Sequence, residues 1–212
     1  MNRARWCSGS IASGALAVTC RLAPMLLLVT GFASAASAAD PSGANPDRVV
    51  AKVAIPAVTL TDQDGHSHDL QQLLGDPHPV VLTFIFTSCR SVCPALTSAV
   101  FAIRKQLHSV SDTRYISISI DPEFDTPDVL RRYAARFDAS SAPNWSFLTG
   151  TLDDIVAVQR AFDIYAGDKN SHRPVIFVKP RATHTWTRFD SSVPIATVAA
   201  ELRDHSRHNG DR

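Results

Sequence analysis

Hydrophobic and polar positions divide the chain into three stretches. An aperiodic apolar run, "LAPMLLLVTGFASA", occupies residues 22–35. A polar segment with Pro and Gly, "ADPSGANPDRVVA", follows at 39–51. From Lys52 onward, apolar residues recur with the periods of strands and helices. In "AVTLTDQDGHSHDLQQLLG" (57–75) the pattern predicts a strand, a turn at Asp64-Gly65, a short strand and a helical turn. "DQDG" also resembles the start of a calcium loop, but the later ligands and the closing Glu are missing, so it is read as a turn. "PVVLTFIFT" (79–87) is nearly all apolar and rich in β-branched and aromatic residues, which predicts a strand buried on both faces.

A helix is predicted from about Pro94 to Leu107. Leu96, Ala99, Val100, Ile103 and Leu107 form one stripe, and Pro94 suits a first turn that needs no N–H. "RYISISID" (114–121) predicts a second central strand. "DTPDVLRRYAARF" (125–137) predicts a helix with Thr126 as N-cap and Pro127 as first residue. "TGTLDDIVAVQRAFDIY" (149–165) predicts another helix, with Thr151 and Asp154 as a relative of the capping box. Trp145 and Phe147, between these helices, are read as packing residues. "PVIFVK" (174–179) and "HTWTRF" (184–189) predict an antiparallel pair, and "PIATVAAELRDHS" (194–206) a closing helix. Strands alternating with helices imply an α/β layer fold with a mostly parallel central sheet flanked by helices. The N-terminal β-hairpin, the cysteine pair after the first central strand and the final hairpin and helix fit a thioredoxin-like fold.

Arg3, Arg5 and Arg21 precede the early apolar run, and small residues end it in "ASAASAAD". This is the pattern of a secretory signal peptide over residues 1–38, with cleavage near Ala38. An uncleaved anchor is the competing reading, although the run is short of the about 20 residues a membrane span needs. Residues 39–51 are then a flexible tether, and residues 52–208 the folded domain. Removing three arginines and no acidic residue takes the formal charge from +1 to −2. That balance gives no reason to expect a nucleic-acid partner. Export also removes Cys7 and Cys20, leaving Cys89 and Cys93 as one close pair in a disulfide-permissive compartment, the periplasm.

The pair in "CRSVC" admits three readings. A structural disulfide would close a loop of about five residues and contribute roughly 2 kcal/mol, in a domain long enough to bury a real core. A redox pair draws on the positive end of the following helix, which favours thiolate. Its spacing is C-x-x-x-C rather than the usual C-x-x-C. A metal site draws on two soft thiolates, suited to Cu(I), Zn or Fe–S, and Cu(II) or Zn(II) would need further donors. Of the eight histidines, His66, His68, His78, His184, His205 and His208 lie in turns, loops or the tail and read as solvated. His172, just before "PVIFV", is the imidazole that a thioredoxin-like fold would bring beside the cysteines.

Four motifs in order carry a resemblance: "TLTDQDG" at 59–65, "CRSVCP" at 89–94, "DPEFDTP" at 121–127 and "WSFLTG" at 145–150. Together with a late histidine, they resemble the Sco (SenC) family of thioredoxin-like copper chaperones for cytochrome c oxidase. The resemblance covers roughly residues 53–205. It implies that Cys89, Cys93 and His172 bind one copper ion, Cu(I) or Cu(II). It also implies delivery of that copper to the dinuclear copper site of the oxidase, or reduction of the cysteines there. The expected partner is the oxidase copper-site subunit or another copper chaperone, and the chain is expected to be a monomer, periplasmic or anchored to the inner membrane.

The chain departs from the family pattern in places. Arg90 stands where the family usually has Pro, and its guanidinium is expected to favour thiolate at Cys89. "NSHRP" has Ser171 where the family has an acid. Pro174 lies where redox thioredoxins keep a cis-proline. These features keep a periplasmic thiol–disulfide oxidoreductase, with Cys89 and Cys93 as redox pair and no obligatory metal, beside the chaperone reading. A peroxidase-like enzyme is a third class, with Arg90 as the adjacent arginine that such chemistry requires.

Overall fold

The computed structural model describes residues 48–75, 77–107, 112–139 and 142–208, with side chains described as far as residue 203. The leader read over residues 1–38, Cys7, Cys20 and most of the tether lie outside them. One eight-stranded sheet runs through the domain in the order β1-β8-β7-β4-β5-β6-β2-β3. Its parallel part is the central trio: β4 (Val80–Ile85), β5 (Arg114–Ser119) and β6 (Trp145–Thr149). The flanks are antiparallel. β2 (Thr59–Asp62) and β3 (Ser67–Asp69) form the N-terminal hairpin, which joins β6. β7 (Val175–Lys179) and β8 (Thr185–Asp190) form the expected antiparallel pair, which joins β4. All six β4 residues are buried, as the unbroken apolar run predicted.

Helices cover the sheet: α1 (Leu70–Gly75), α2 (Val92–Gln106), α3 (Pro127–Ala135), α4 (Leu152–Ala161) and α5 (Ile195–His208). Leu96, Val100 and Ile103 of the α2 stripe are buried. Phe84, Phe162, Phe177 and Trp186 meet edge to face, with ring centroids 4.9–6.0 Å apart, and lock α4 onto β4, β7 and β8.

The structure corrects the sequence expectations in three places. Trp145 and Phe147 are buried packing residues, but they pack as part of a strand. β6 is only five residues long and lies between two helices, so its pattern was too short to read. Burial on both sides and the stacking of Trp145 on Phe147 at 5.3 Å hold it in place. Second, the tether expected over 39–51 gives way to β1 (Arg48–Lys52), an edge strand antiparallel to β8. All five of its side chains are exposed, so its pattern looked like linker; the backbone ladder and an Arg48–Glu201 ion pair at 2.8 Å hold it. Third, α2 begins at Val92, two residues before Pro94, which puts Cys93 inside the first turn.

Candidate metal centre

β4 ends at Ile85, and the chain turns over Phe86–Cys89, where the Cys89 N–H donates to the Phe86 carbonyl at 3.2 Å. Helix α2 then starts with its free N–H groups facing back. The Cys93 N–H lies 3.4 Å from Cys89 Sγ. Burial raises the Cys89 thiol, but the N–H groups of Cys93, Ser91 and Val92 outweigh it and hold the thiol below its ordinary value. Arg90, expected to do this, is exposed; the N–H groups of the helix terminus are what outweighs burial.

Cys93 has the opposite environment. It is 1 % exposed, among core residues, and burial pushes its thiol up to about 12, with Cys89 and the Asp125 carboxylate adding in the same direction. Neither cysteine is in a disulfide. At neutral pH Cys89 is the accessible sulfur with thiolate character, and Cys93 is a protonated reserve behind it.

His172 follows a single turn of 3-10 helix, Lys169–Ser171, and immediately precedes β7. It is buried, at 8 % exposure. Its Nε2 lies 3.0 Å from the Phe84 carbonyl oxygen. A carbonyl only accepts, so Nε2 carries the proton and Nδ1 keeps its lone pair. Nδ1 is buried with no hydrogen-bond partner. Burial holds the imidazole below its ordinary pKa despite the Phe84 bond, so the ring is neutral at pH 7. A buried imidazole with its second N–H on a backbone carbonyl is the usual state of a metal-ligating histidine.

Cys89 and His172 line the same 230 Å³ cavity, with Arg90 and Lys169 on its wall. The donor set of two sulfurs and one imidazole fits a soft or borderline ion such as copper. Among the described residues, the only three donors with ligand atoms all within 4.8 Å of one another are Asp62, Asp64 and His66. Cys89, Cys93 and His172 therefore share a neighbourhood without being closed around a point. His68, His66 and His78 each meet an aspartate elsewhere.

Sequence reasoning missed what "DPEFDTP" does. Thr126 occupies the N-cap of α3, but its side chain makes no capping bond. Asp125, fully buried, accepts from the Thr87 N–H at 3.0 Å, the Thr87 hydroxyl and the Ser119 hydroxyl, fixing the turn two residues before Cys89. Asp121 accepts from Lys169 Nζ at 2.6 Å, fixing the turn three residues before His172. One short segment thus ties both loops of the candidate centre. Two acids four residues apart after a buried strand were the available signal.

The SCO1/SenC family model matches residues 50–206, well over half of the chain. The chain belongs to the SCO1/SenC family. The SCO1 protein homolog of Bacillus subtilis is 40% identical over 93 residues, which are 43% of this chain and 47% of that protein. The chain spans about half the length of the first curated relatives it matches. Among solved structures, BsSco superposes with a TM-score of 0.63 at 26% identity, over 74% of this chain and 95% of that one. It is described as carrying a disulfide switch and as a member of the Sco family of cytochrome c oxidase assembly proteins. ScoI of Bradyrhizobium japonicum, solved with copper bound, gives a TM-score of 0.54 at 25% identity, over 69% of this chain and 96% of that one. The thioredoxin-like α/β fold read from the element order is the fold of these relatives.

Proposed function

We propose that the chain is a copper-handling assembly protein, with copper as its cargo. Cys89 and Cys93 supply thiolates and His172 supplies Nδ1. The ion goes to the dinuclear copper site of cytochrome c oxidase, received by its copper-site subunit or by another copper chaperone. One observation carries this reading: a buried imidazole with an unpartnered Nδ1 lines the same cavity as a thiol held below its ordinary pKa. Family membership and the copper bound to ScoI support it. Binding must displace the proton that Cys93 holds, so loading releases protons and needs the reduced pair. With residues 1–38 as an export leader, the protein works in the periplasm, free or anchored. The test is a thiolate-to-Cu(II) charge-transfer band that saturates at one equivalent in the reduced chain. Cys89→Ser abolishes that band, and a full band in the variant would sink the proposal.

The unequal cysteines favour a second activity of the same pair. Cys89 thiolate attacks a sulfur of an acceptor disulfide, forming a mixed disulfide and releasing the acceptor's other sulfur as thiolate. Cys93 gives up its proton and attacks Cys89 Sγ, releasing the second acceptor thiolate. Two electrons pass to the acceptor, and Cys89 and Cys93 become a disulfide. This exchange needs no His172, so His172→Ala keeps it. In the Cys93→Ser variant a mixed disulfide with the acceptor accumulates; if none is trapped, the reading fails.

A further inference from the structure

The β2–β3 hairpin, at the edge of the sheet, gathers a different donor set. Its loop, Gln63–Gly65, is a tight turn closed by the Gly65 N–H on the Asp62 carbonyl at 3.1 Å, and Gly65 adopts a φ of +87°. The strands around it place Asp62 beside His66, and His68 two residues further on the same face. The Asp62 carboxylate is nearly buried, with its side chain 8 % exposed. Its Oδ1 accepts from the N–H groups of Asp64 and His66 at 2.8 and 2.9 Å. Those two bonds suffice to hold the turn. Its Oδ2 faces two ring nitrogens, His68 Nε2 at 2.8 Å and His66 Nδ1 at 3.3 Å.

We propose that Asp62, His66 and His68 form a second metal site, for a divalent transition ion of the Cu(II) or Zn(II) class, with Asp64 at its edge. Each ring now meets Oδ2 through a ring proton; when a divalent cation takes that place each proton moves to the ring's other nitrogen, and the exposed His66 ring turns to bring its Nδ1 onto the ion beside Asp62 Oδ2 and His68 Nε2. Two imidazoles with a carboxylate suit Cu(II), Zn(II) or Ni(II) better than the hard ions Ca²⁺ and Mg²⁺. Oδ1, fixed by two backbone N–H groups, keeps the carboxylate aimed, and the exposed His66 ring leaves the way in open. Asp64 lies close enough to join, but it also meets Gln63 Nε2 at 2.9 Å and Arg131 Nε at 3.6 Å, so it is the weakest donor of the four. β5 and β6 lie between β2 and β4, which separates this site from the cysteines.

The test uses the untagged chain with Cys7, Cys20, Cys89 and Cys93 all replaced by Ser, so that thiolate binding cannot contribute. Cu(II) is titrated in and followed by calorimetry and electron paramagnetic resonance. The expected result is one bound equivalent with coupling to two imidazole nitrogens. Adding His66→Gln and His68→Gln removes that equivalent and leaves the circular dichroism of the metal-free chain unchanged. Absence of binding at micromolar copper overturns the proposal, and so does binding that survives the two glutamines.

Discussion

The cysteine turn and the histidine turn face the same cavity, yet they get their chemistry from different scales of the structure. Around Cys89 the groups that lower the thiol are within a few residues, although the turn before it is tied to Asp125, 38 residues from Thr87. A strand ends, a helix starts, and three N–H groups lower one thiol while burial raises the next. Around His172 almost nothing is local. Its proton position is fixed by Phe84, 88 residues away in sequence, and its loop is held by Asp121, 48 residues from Lys169. The thiol chemistry is thus a property of one short motif, whereas the imidazole is a product of the assembled sheet. Disturbing the fold should detach the histidine before it changes the cysteines.

The largest effect expected is the contrast between the two sulfurs. With its thiol at about 12, Cys93 holds a thiolate fraction on the order of 10⁻⁵ at pH 7. Native labelling with iodoacetamide, read by peptide mass spectrometry, should modify Cys89 and spare Cys93; equal labelling of the two would break the contrast. Asp125→Ala comes next, because it strands the Thr87 N–H and two hydroxyls and should cost about 3 kcal/mol in urea unfolding.

Stability should also fall on both sides of neutral pH. In acid, the unfolded chain protonates His172 near its ordinary 6.5 while the folded state resists. Stability is therefore full above that value and is lost as pH falls through the lower folded value. His172→Gln should flatten this limb. In alkali, unfolded Cys93 loses its proton from about 9 upward while the folded thiol keeps it to about 12, so stability drops across that window. Tyr115 and Tyr133, raised by burial to about 12, steepen the same limb. The smallest effect is that of Asp121→Asn. It should change stability by less than about 1 kcal/mol, because Lys169 is one-third exposed. It should nevertheless weaken copper loading, which depends on where His172 stands; unchanged loading would remove Asp121 from the account of that loop.

The same division of scales explains what could be read in advance. The buried run of β4, the stripe of α2 and the Thr151–Asp154 cap are local patterns, and each is present as expected. The cysteines were legible for the same reason, but the N–H groups that lower Cys89 were not, because the start of α2 was placed two residues late. His172 was legible only through fold and family, since nothing in "NSHRP" signals a buried ring with a free nitrogen. β6 and β1 escaped because their strand character comes from neighbours in the sheet rather than from their own residues. Asp121 and Asp125 looked like helix-start residues; two acids after a buried strand were a local signal, but their partners, Lys169 and Thr87, are distant in sequence.

The most direct measurement is a Cu(II) titration of the fully reduced chain, wild type and His172→Ala, followed by absorption and electron paramagnetic resonance. If Cys89, Cys93 and His172 hold the ion together, the wild type shows a thiolate-to-copper charge-transfer band that saturates at one equivalent. Its nitrogen coupling, read with His66→Gln and His68→Gln in both proteins so that the hairpin contributes none, is then lost in His172→Ala. A band and coupling that are identical in the two proteins, or no thiolate band at all, would contradict the three-ligand centre.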